Sequence, residues 1–373
     1  MVSRDGDAPE RQNHGSHTCC AALCTLRQTV VGTRDLETAP SGIDEELGRI
    51  LVRLGLCVRP EDVLATQLSG GVSADIWKVQ AGQRLVCVKR ARSKLKVAQE
   101  WFVSPERIAY ERKWYAWVGK LIPGAAPAVL AFDDAGKLLV MEYLSPEDNR
   151  LWKSDLAAGR VDVAFTQAVA SRLGTIHAST ALNADLAAEF QTDHLFSALR
   201  LDPYLRHVGS VHPEIAEHLN ALADSALQCK RALVHGDVSP KNILVSPHGP
   251  IFLDAECAWY GDPAFDVAFL LNHLLLKCVW VRSAAPGYLD AFEAFVSSYR
   301  AEVSWEMPDA VEARAALFLP ALLLARIDGK SPVEYLDTEA DRELVRRVAL
   351  RLIHKPANTL LAIRDRWQKE LPL

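Results

Sequence analysis

The sequence predicts an α+β protein of two lobes, a small antiparallel β-rich lobe followed by a larger, mostly helical one. Three observations carry this. The 373 residues, 49% hydrophobic, can bury a large core, and that length suggests two lobes rather than one. From about residue 60 to 144, short alternating segments are separated by glycine-containing turns. After "MEYLSPEDN" the apolar spacing becomes helical and continues to the end, interrupted once by the polar stretch "LVHGDVSPKNILV", residues 233–245.

Residues 1–40 mix Gly, Ser, Asp, His, Arg and Pro without a period and are expected to form a flexible leader. Within it His14, His17, Cys19, Cys20 and Cys24 are close enough to share a metal, although their spacing matches no familiar zinc module and a disordered tail explains them as well. The nucleotide-facing lobe is expected over 41–144. It starts with the helix "GIDEELGRILVRLGL", where Ile43, Leu47, Ile50, Leu51 and Leu54 share a face. Strands follow in "VLATQL", "ADIWKVQAG", "QRLVCVKRA" and "KLLVMEYL", with a helix over "SPERIAYERKWYAWVGKL" before the last of these. Residues 145–373 form the expected helical lobe.

The 42 basic and 47 acidic residues give a formal charge of −5, which offers no overall field for nucleic acid or an anionic membrane. The apolar run "AALFLPALLLA", 315–325, contains Pro320 and falls short of the roughly 20 residues a bilayer span needs. It is expected to be a core helix. No partner on nucleic acid or membrane is expected, and the location is expected to be cytoplasmic. The eight cysteines lack disulfide-framework spacing, so most are expected to be reduced and buried.

The chemistry concentrates in a few places. In "SGGVSADIWKV" the adjacent Gly70 and Gly71, followed by Ser73, make a turn whose amides can approach a phosphate, though an ordinary hairpin has the same composition. Lys89 ends the alternation "LVCVK" inside an apolar strand and needs a counter-charge, unless it snorkels to water. Glu111 on the next helix is the leading candidate, and such a pair would hold the ammonium toward two phosphates of a nucleotide. A strand ending at Val234 delivers His235-Gly236-Asp237, and Asn242 follows five residues later. That spacing lets Asp237 face a substrate hydroxyl while the Asn242 amide oxygen turns back to a divalent ion. Asp254, after the apolar run "IFL", is a hard carboxylate suited to Mg²⁺. The two runs are expected to pair as a hairpin across "SPHGP".

Taken singly, Asp237 is a turn residue and Asn242 a cap; together with Lys89, Glu111 and the glycine turn they specify phosphoryl transfer. The stretches "SGGVSADIW", "VCVKRA", "AYERKWY", "LLVMEYL", "LGTIHA", "HGDVSPKN" and "LDAECAWYGDPAFDVA" resemble the aminoglycoside phosphotransferase and choline kinase-like small-molecule kinases, which have the protein-kinase-like fold. The resemblance covers about residues 44–350. It implies ATP and Mg²⁺ as cofactors, Asp237 as catalytic base, Asn242 and Asp254 as metal ligands, Lys89 as phosphate clamp, and Glu142, Tyr143 and Leu144 as the segment that binds adenine through its backbone. The second carboxylate of "DAE", Glu256, and the run "WYGDPAFD" look more like choline and methylthioribose kinases, and Glu256 is a further metal-ligand candidate. Asp266 would hold the catalytic loop. Where the family often has Gly before the Asn, this chain has Lys241.

No long docking segment follows Asp254, so the expected acceptor is small, and the resemblance implies that it is an alcohol phosphorylated on a hydroxyl group. An aminoglycoside-inactivating enzyme and a catalytically silent nucleotide-binding scaffold are the alternatives. Candidates to read the acceptor are Trp259 and Tyr260, which could stack on a sugar or cage an ammonium, although core packing beneath the catalytic loop is the favoured reading for them. Arg326 and Asp328, at the end of a buried helix, are the others, and Arg326 could instead cap that helix. The segment "ALRLDPYLRH" also offers Arg200, Asp202, Tyr204 and Arg206, while His273 in "FLLNHLLLKCVW" is expected to be a satisfied core histidine.

Overall fold

The computed structural model describes residues 42–68, 73–96 and 100–371. The expected leader with its His14, His17, Cys19, Cys20 and Cys24 group lies outside the described residues, as do Gly70 and Gly71.

The first helix, α1 (Gly42–Arg53), lies beside a five-stranded antiparallel sheet of β1 (Val63–Gln67), β2 (Ala74–Ala81), β3 (Arg84–Ala91), β4 (Val129–Asp133) and β5 (Leu138–Glu142), in the order β1-β2-β3-β5-β4. Period-two alternation decides what each face does. Val86 and Val88 of β3 join Leu47, Leu51, Trp77, Val79, Leu138 and Val140 in a small core under α1. Cys87 points the other way into the main core, and Lys89 shares its face. Across that face runs α2 (Arg107–Leu121), the helix inserted between β3 and β4. Strand β4 was not foreseen; its residues alternate poorly, and its pairing with β5 slips between Val129 and Ala131.

The two-residue β6 (Arg150–Leu151) leads into α3 (Trp152–Ala157), α4 (Val163–Thr180), α5 (Ala184–Glu189) and α6 (Asp193–Phe196). A widened helix then spans Ser197–Arg206, where Pro203 has no N–H to give and the His207 amide reaches back to Asp202. After α7 (His207–Val211) and α8 (Ala216–Gln228) come β7 (Ala232–Val234), β8 (Ile243–Ser246), β9 (Gly249–Phe252) and β10 (Trp259–Gly261). The expected hairpin is present, with Ile243 opposite Phe252 and Ser246 opposite Gly249. The remainder is α9 (Ala264–Trp280), α10 (Ala285–Glu302), α11 (Pro308–Asp328), α12 (Glu339–His354) and α13 (Leu360–Glu370).

Helix α9 is buried almost all round, as a uniformly apolar helix must be, and α10 and α11 pack against it. The run around Pro320 lies inside α11 and is buried. Among the described residues no helix is long and apolar enough to cross a membrane, and Cys57, Cys87, Cys229, Cys257 and Cys278 are free thiols.

Truncating Leu51 to Ala removes a fully buried side chain from the small core and is expected to lower unfolding stability by about 2–5 kcal/mol. Val58→Ala, at a position 86% exposed, should stay within about 0.5 kcal/mol of the parent. Urea unfolding of both variants checks the assignment of α1 to the sheet.

Candidate active site

Lys89 is 3% exposed and Glu111 is fully buried. The ammonium donates to Glu111 Oε1 at 2.8 Å and also pairs with Asp254, which arrives from the far end of the β8–β9 hairpin. Tyr115, one turn after Glu111 on α2, closes the loop. Its hydroxyl donates to Glu111 Oε1 at 2.8 Å and accepts the Asp254 backbone N–H at 2.6 Å. Burial alone would lower the Lys89 pKa, but the Asp254 and Glu111 carboxylates overcome it and raise it above the ordinary lysine range. Burial would raise Asp254, and Lys89 followed by Lys241 instead bring it well below the usual carboxylate range. Glu111 moves up to about 7, through burial first, with Asp254 and Glu256 adding repulsion that Lys89 only partly offsets.

The loop from His235 to Asn242 is fixed from behind. Asp266, in the first turn of α9, accepts the His235 N–H and the Gly236 N–H at 2.8 Å each, and His177 of α4 lies 3.3 Å from its Oδ2. The His235 ring has Nε2 3.0 Å from the Leu253 carbonyl, while Nδ1 accepts the Asp237 N–H at 3.2 Å. A neutral imidazole protonated at Nε2 satisfies both contacts, and burial, the largest influence, holds the His235 pKa below its ordinary value. Gly236 has φ +78°, and a Cβ there would lie 2.7 Å from the Cys257 carbonyl oxygen, so the turn that presents Asp237 requires glycine.

Asp237 is 3% exposed, and its Oδ2 lies 2.8 Å from Arg200 and 3.2 Å from Lys241. Arg200 projects from the widened helix, and its Nε donates to the Gly236 carbonyl at 2.6 Å. Lys241 thereby finds a partner, and its pKa rises chiefly because of Asp237.

Asn242 donates Nδ2 to the Asp237 carbonyl at 3.0 Å and leaves Oδ1 without a protein partner among the described residues. Its own carbonyl accepts the Leu253 N–H at 2.8 Å, which places Asn242 beside Asp254. Asp254 has φ +64°, a left-handed conformation that few non-glycine residues adopt and that the pairing with Lys89 and Tyr115 holds in place. A free amide oxygen next to a hard carboxylate suits a divalent cation. Glu256 is different: its Oε2 accepts from Arg107 Nε at 2.9 Å, in a pair buried on both sides.

Arg107 has no exposed surface, and its remaining protons go to the carbonyls of Val103, Ser104, Ser73 and Arg92. It ties Glu256 to Ser73, just before β2, and to Arg92, just after β3. Sequence reasoning did not single out Arg107 or Tyr115. The only trace was their place on the helix of Glu111, at i−4 and i+4.

The other expected site residues are placed as follows. Glu142 ends β5, and Tyr143 and Leu144 continue as half-buried, non-strand backbone. Trp259 and Tyr260 lie in the core. Trp259 stacks on Phe196 at 4.1 Å between centroids and its Nε1 donates to Asp193, while the Tyr260 hydroxyl bridges Asn183 N–H and the carbonyls of Thr180 and Arg231. Neither ring is free to stack on an acceptor, which removes both as acceptor residues and agrees with the favoured expectation of core packing. Asp328 is held by Arg346, whose Nε and Nη2 each donate to one of its carboxylate oxygens at 2.9 Å, and by His212 at 2.8 Å, so it serves the fold. Arg326 is buried against Tyr204 and Ser331. His273 is 6% exposed and touches Phe269 edge-on, but no hydrogen bond satisfies its ring among the described residues. The expectation of a satisfied core histidine is therefore corrected.

Fold and site together define a bilobal, protein-kinase-like α+β protein whose buried lysine and acidic loops meet between a β-sheet and a helical body. The chain belongs to the phosphotransferase enzyme family, whose model matches residues 65–306. Methylthioribose kinase of Erwinia tasmaniensis is 28% identical over 246 residues, which is 57% of this chain and 59% of that protein. Methylthioribose kinase of Cronobacter sakazakii is 27% identical over 272 residues, 63% of this chain and 65% of that protein. The matched segments thus span about three fifths of the relatives' lengths. Among solved structures, amicoumacin kinase in complex with AMP-PNP, Ca²⁺ and its ligand superposes with a TM-score of 0.52 at 16% identity, covering 85% of this chain and 96% of that one, and supports the fold.

Gly236→Ala introduces both left-handed strain and a contact under 3.0 Å with backbone, so it is expected to cost about 3 kcal/mol or more. Thermal unfolding should show a clear drop in Tm, and an unchanged Tm would contradict the geometry of the loop.

Proposed function

We propose that the protein is an ATP- and Mg²⁺-dependent kinase that phosphorylates a hydroxyl of a small molecule. The observation that carries this is the meeting of the buried Lys89–Glu111 pair with Asp254, beside a loop that presents Asp237 and Asn242. Family membership and the methylthioribose kinase relatives support the same class of reaction.

In this mechanism Lys89 stays on Glu111 and turns its remaining protons to phosphate oxygens of the nucleotide, assisted by the amides near Gly70, Gly71 and Ser73. Glu142, Tyr143 and Leu144, at the boundary between the lobes 41–144 and 145–373, would receive the base. Asn242 through Oδ1 and Asp254 through its carboxylate would hold the divalent ion, which when bound offsets phosphate charge. Glu256, anchored by Arg107, keeps that loop in position and is the weaker ligand candidate. Asp237 orients the acceptor hydroxyl and takes its proton as the acceptor oxygen bonds to the γ-phosphorus and the bond to the β–γ bridging oxygen breaks. The protein's contribution is placement and fixed charge. Free thiols and ATP use agree with a cytoplasmic setting.

Asp237→Asn is expected to reduce turnover by about 10²–10⁴-fold in a coupled ADP-release assay while retaining the ATP-dependent rise in Tm. Full activity in that variant would remove the proposed base. Chelation by EDTA should abolish turnover, with recovery on adding Mg²⁺; Asn242→Ala should need at least about tenfold more Mg²⁺ for half-maximal rate. Turnover indifferent to EDTA would overturn the metal assignment.

A further inference from the structure

Beyond Asp237 the site continues along one stripe of α9. Phe269, His273, Lys277 and Trp280 recur at three- and four-residue spacing and so share a face. Phe269 begins the stripe beside the partner of Asp237: the Arg200 guanidinium lies 5.5 Å from its ring and 5.6 Å from that of Tyr204. Tyr204 in turn hydrogen-bonds Arg326 at 3.1 Å. Phe269 touches His273 edge-on, and Lys277 lies one turn further along the same face of α9.

What distinguishes this region is cationic groups short of counter-charge. Lys277 is 1% exposed, and no carboxylate is in ion-pair contact with it among the described residues. Its ammonium instead lies 4.7 Å from the ring centres of both Trp280 and Tyr335, which are themselves stacked at 4.5 Å. The nearby Glu334 is taken by Lys153. Arg326, 8% exposed, bonds only to neutral oxygens, and its Nε has no partner. The Tyr335 hydroxyl is likewise buried without a partner. Burying ions and donors unmatched is costly, and a folded protein tolerates it where a ligand completes the set.

We infer that this stripe receives an anionic group of the acceptor, a carboxylate or a phosphate, which pairs with Lys277 and Arg326 while the acceptor hydroxyl reaches Asp237. The inference rests on the kinase proposal for its direction, and it names the acceptor class. Electrostatics agrees with it. Burial first, then Lys153, lowers Lys277 to about 8, with Glu334 compensating only in part. Burial followed by the charges of Arg326, Lys277, Lys241 and Lys153 holds His273 well below its ordinary value. A polycationic acceptor would meet the same charges as repulsion, which disfavours an aminoglycoside.

The test uses the full chain with Mg-ATP and acceptors matched for their hydroxyls: D-glycerate against glycerol, ribose 5-phosphate against ribose, and ethanolamine and choline as cations. The expected result is kcat/KM at least about tenfold higher for an anionic member than for its neutral partner, and little turnover of the cations. The carboxylate and phosphate pairs tell the two anions apart. Lys277→Met should erase the preference, mainly through KM, whereas Lys277→Arg, which keeps the charge, should retain it. A cationic or neutral acceptor used as well as the anionic ones, or an unchanged preference in Lys277→Met, would overturn the inference. Binding is read separately from chemistry: D-glycerate and ribose 5-phosphate should raise the Tm of the wild type and not that of Lys277→Met. That result in a protein without turnover would uphold the anion site and count against the kinase proposal. No Tm rise with either anion in a protein that phosphorylates glycerol or ribose would reject the site and leave the kinase standing.

Discussion

The structure of the site depends on one buried charge arrangement, the ammonium of Lys89 held between Glu111 and Asp254. Each partner comes from a different part of the chain: a sheet strand, the helix inserted between strands, and the loop after the hairpin of the helical body. None of the three can be buried alone at acceptable cost, so their meeting fixes the sheet, α2 and the Asp254 loop in one arrangement. Tyr115 adds a neutral hydrogen-bonding link between Glu111 and the Asp254 backbone and confines Asp254 to its left-handed conformation. A second buried pair, Arg107 with Glu256, repeats the tie a few residues away.

On the other side of Asp254 the constraint is the carboxylate of Asp266. Two backbone N–H groups at 2.8 Å fix where the chain turns, the left-handed Gly236 makes the turn possible, and the neutral His235 ring joins the loop to Leu253. The outcome is a set of polar groups whose positions are determined by buried, saturated contacts behind them. Such a site meets the demand of phosphoryl transfer for placed charge with little motion during the reaction.

Much of this was legible in the sequence because local periodicity carries it. Alternation in "LVCVK" placed Lys89 on the face opposite Val86 and Val88, the helical spacing of "AYERKWY" placed Glu111 across from it, and the turn "SPHGP" set the hairpin that delivers Asp254. What was not legible depends on pairing over long separations. Nothing local joins Arg107 to Glu256, 149 positions away, or Arg200 to Asp237. Arg200 also lies on a widened helix whose side-chain directions do not follow the ordinary helical period. Trp259 and Tyr260 illustrate the converse: nearness in sequence to Asp254 suggested a ligand role, yet their short strand turns both into the core. His273 could not be distinguished from a satisfied histidine without knowing that Phe269 packs edge-on against its ring and that no hydrogen bond reaches it among the described residues.

The most direct test of the central claim is a crystal structure of the full chain with a non-hydrolysable ATP analogue and Mg²⁺. The predicted result is a cation about 2.0–2.1 Å from Asn242 Oδ1 and an Asp254 carboxylate oxygen, with Lys89 still on Glu111 and in contact with phosphate oxygens. A nucleotide bound elsewhere, or bound here with the cation away from both Asn242 and Asp254, would contradict it.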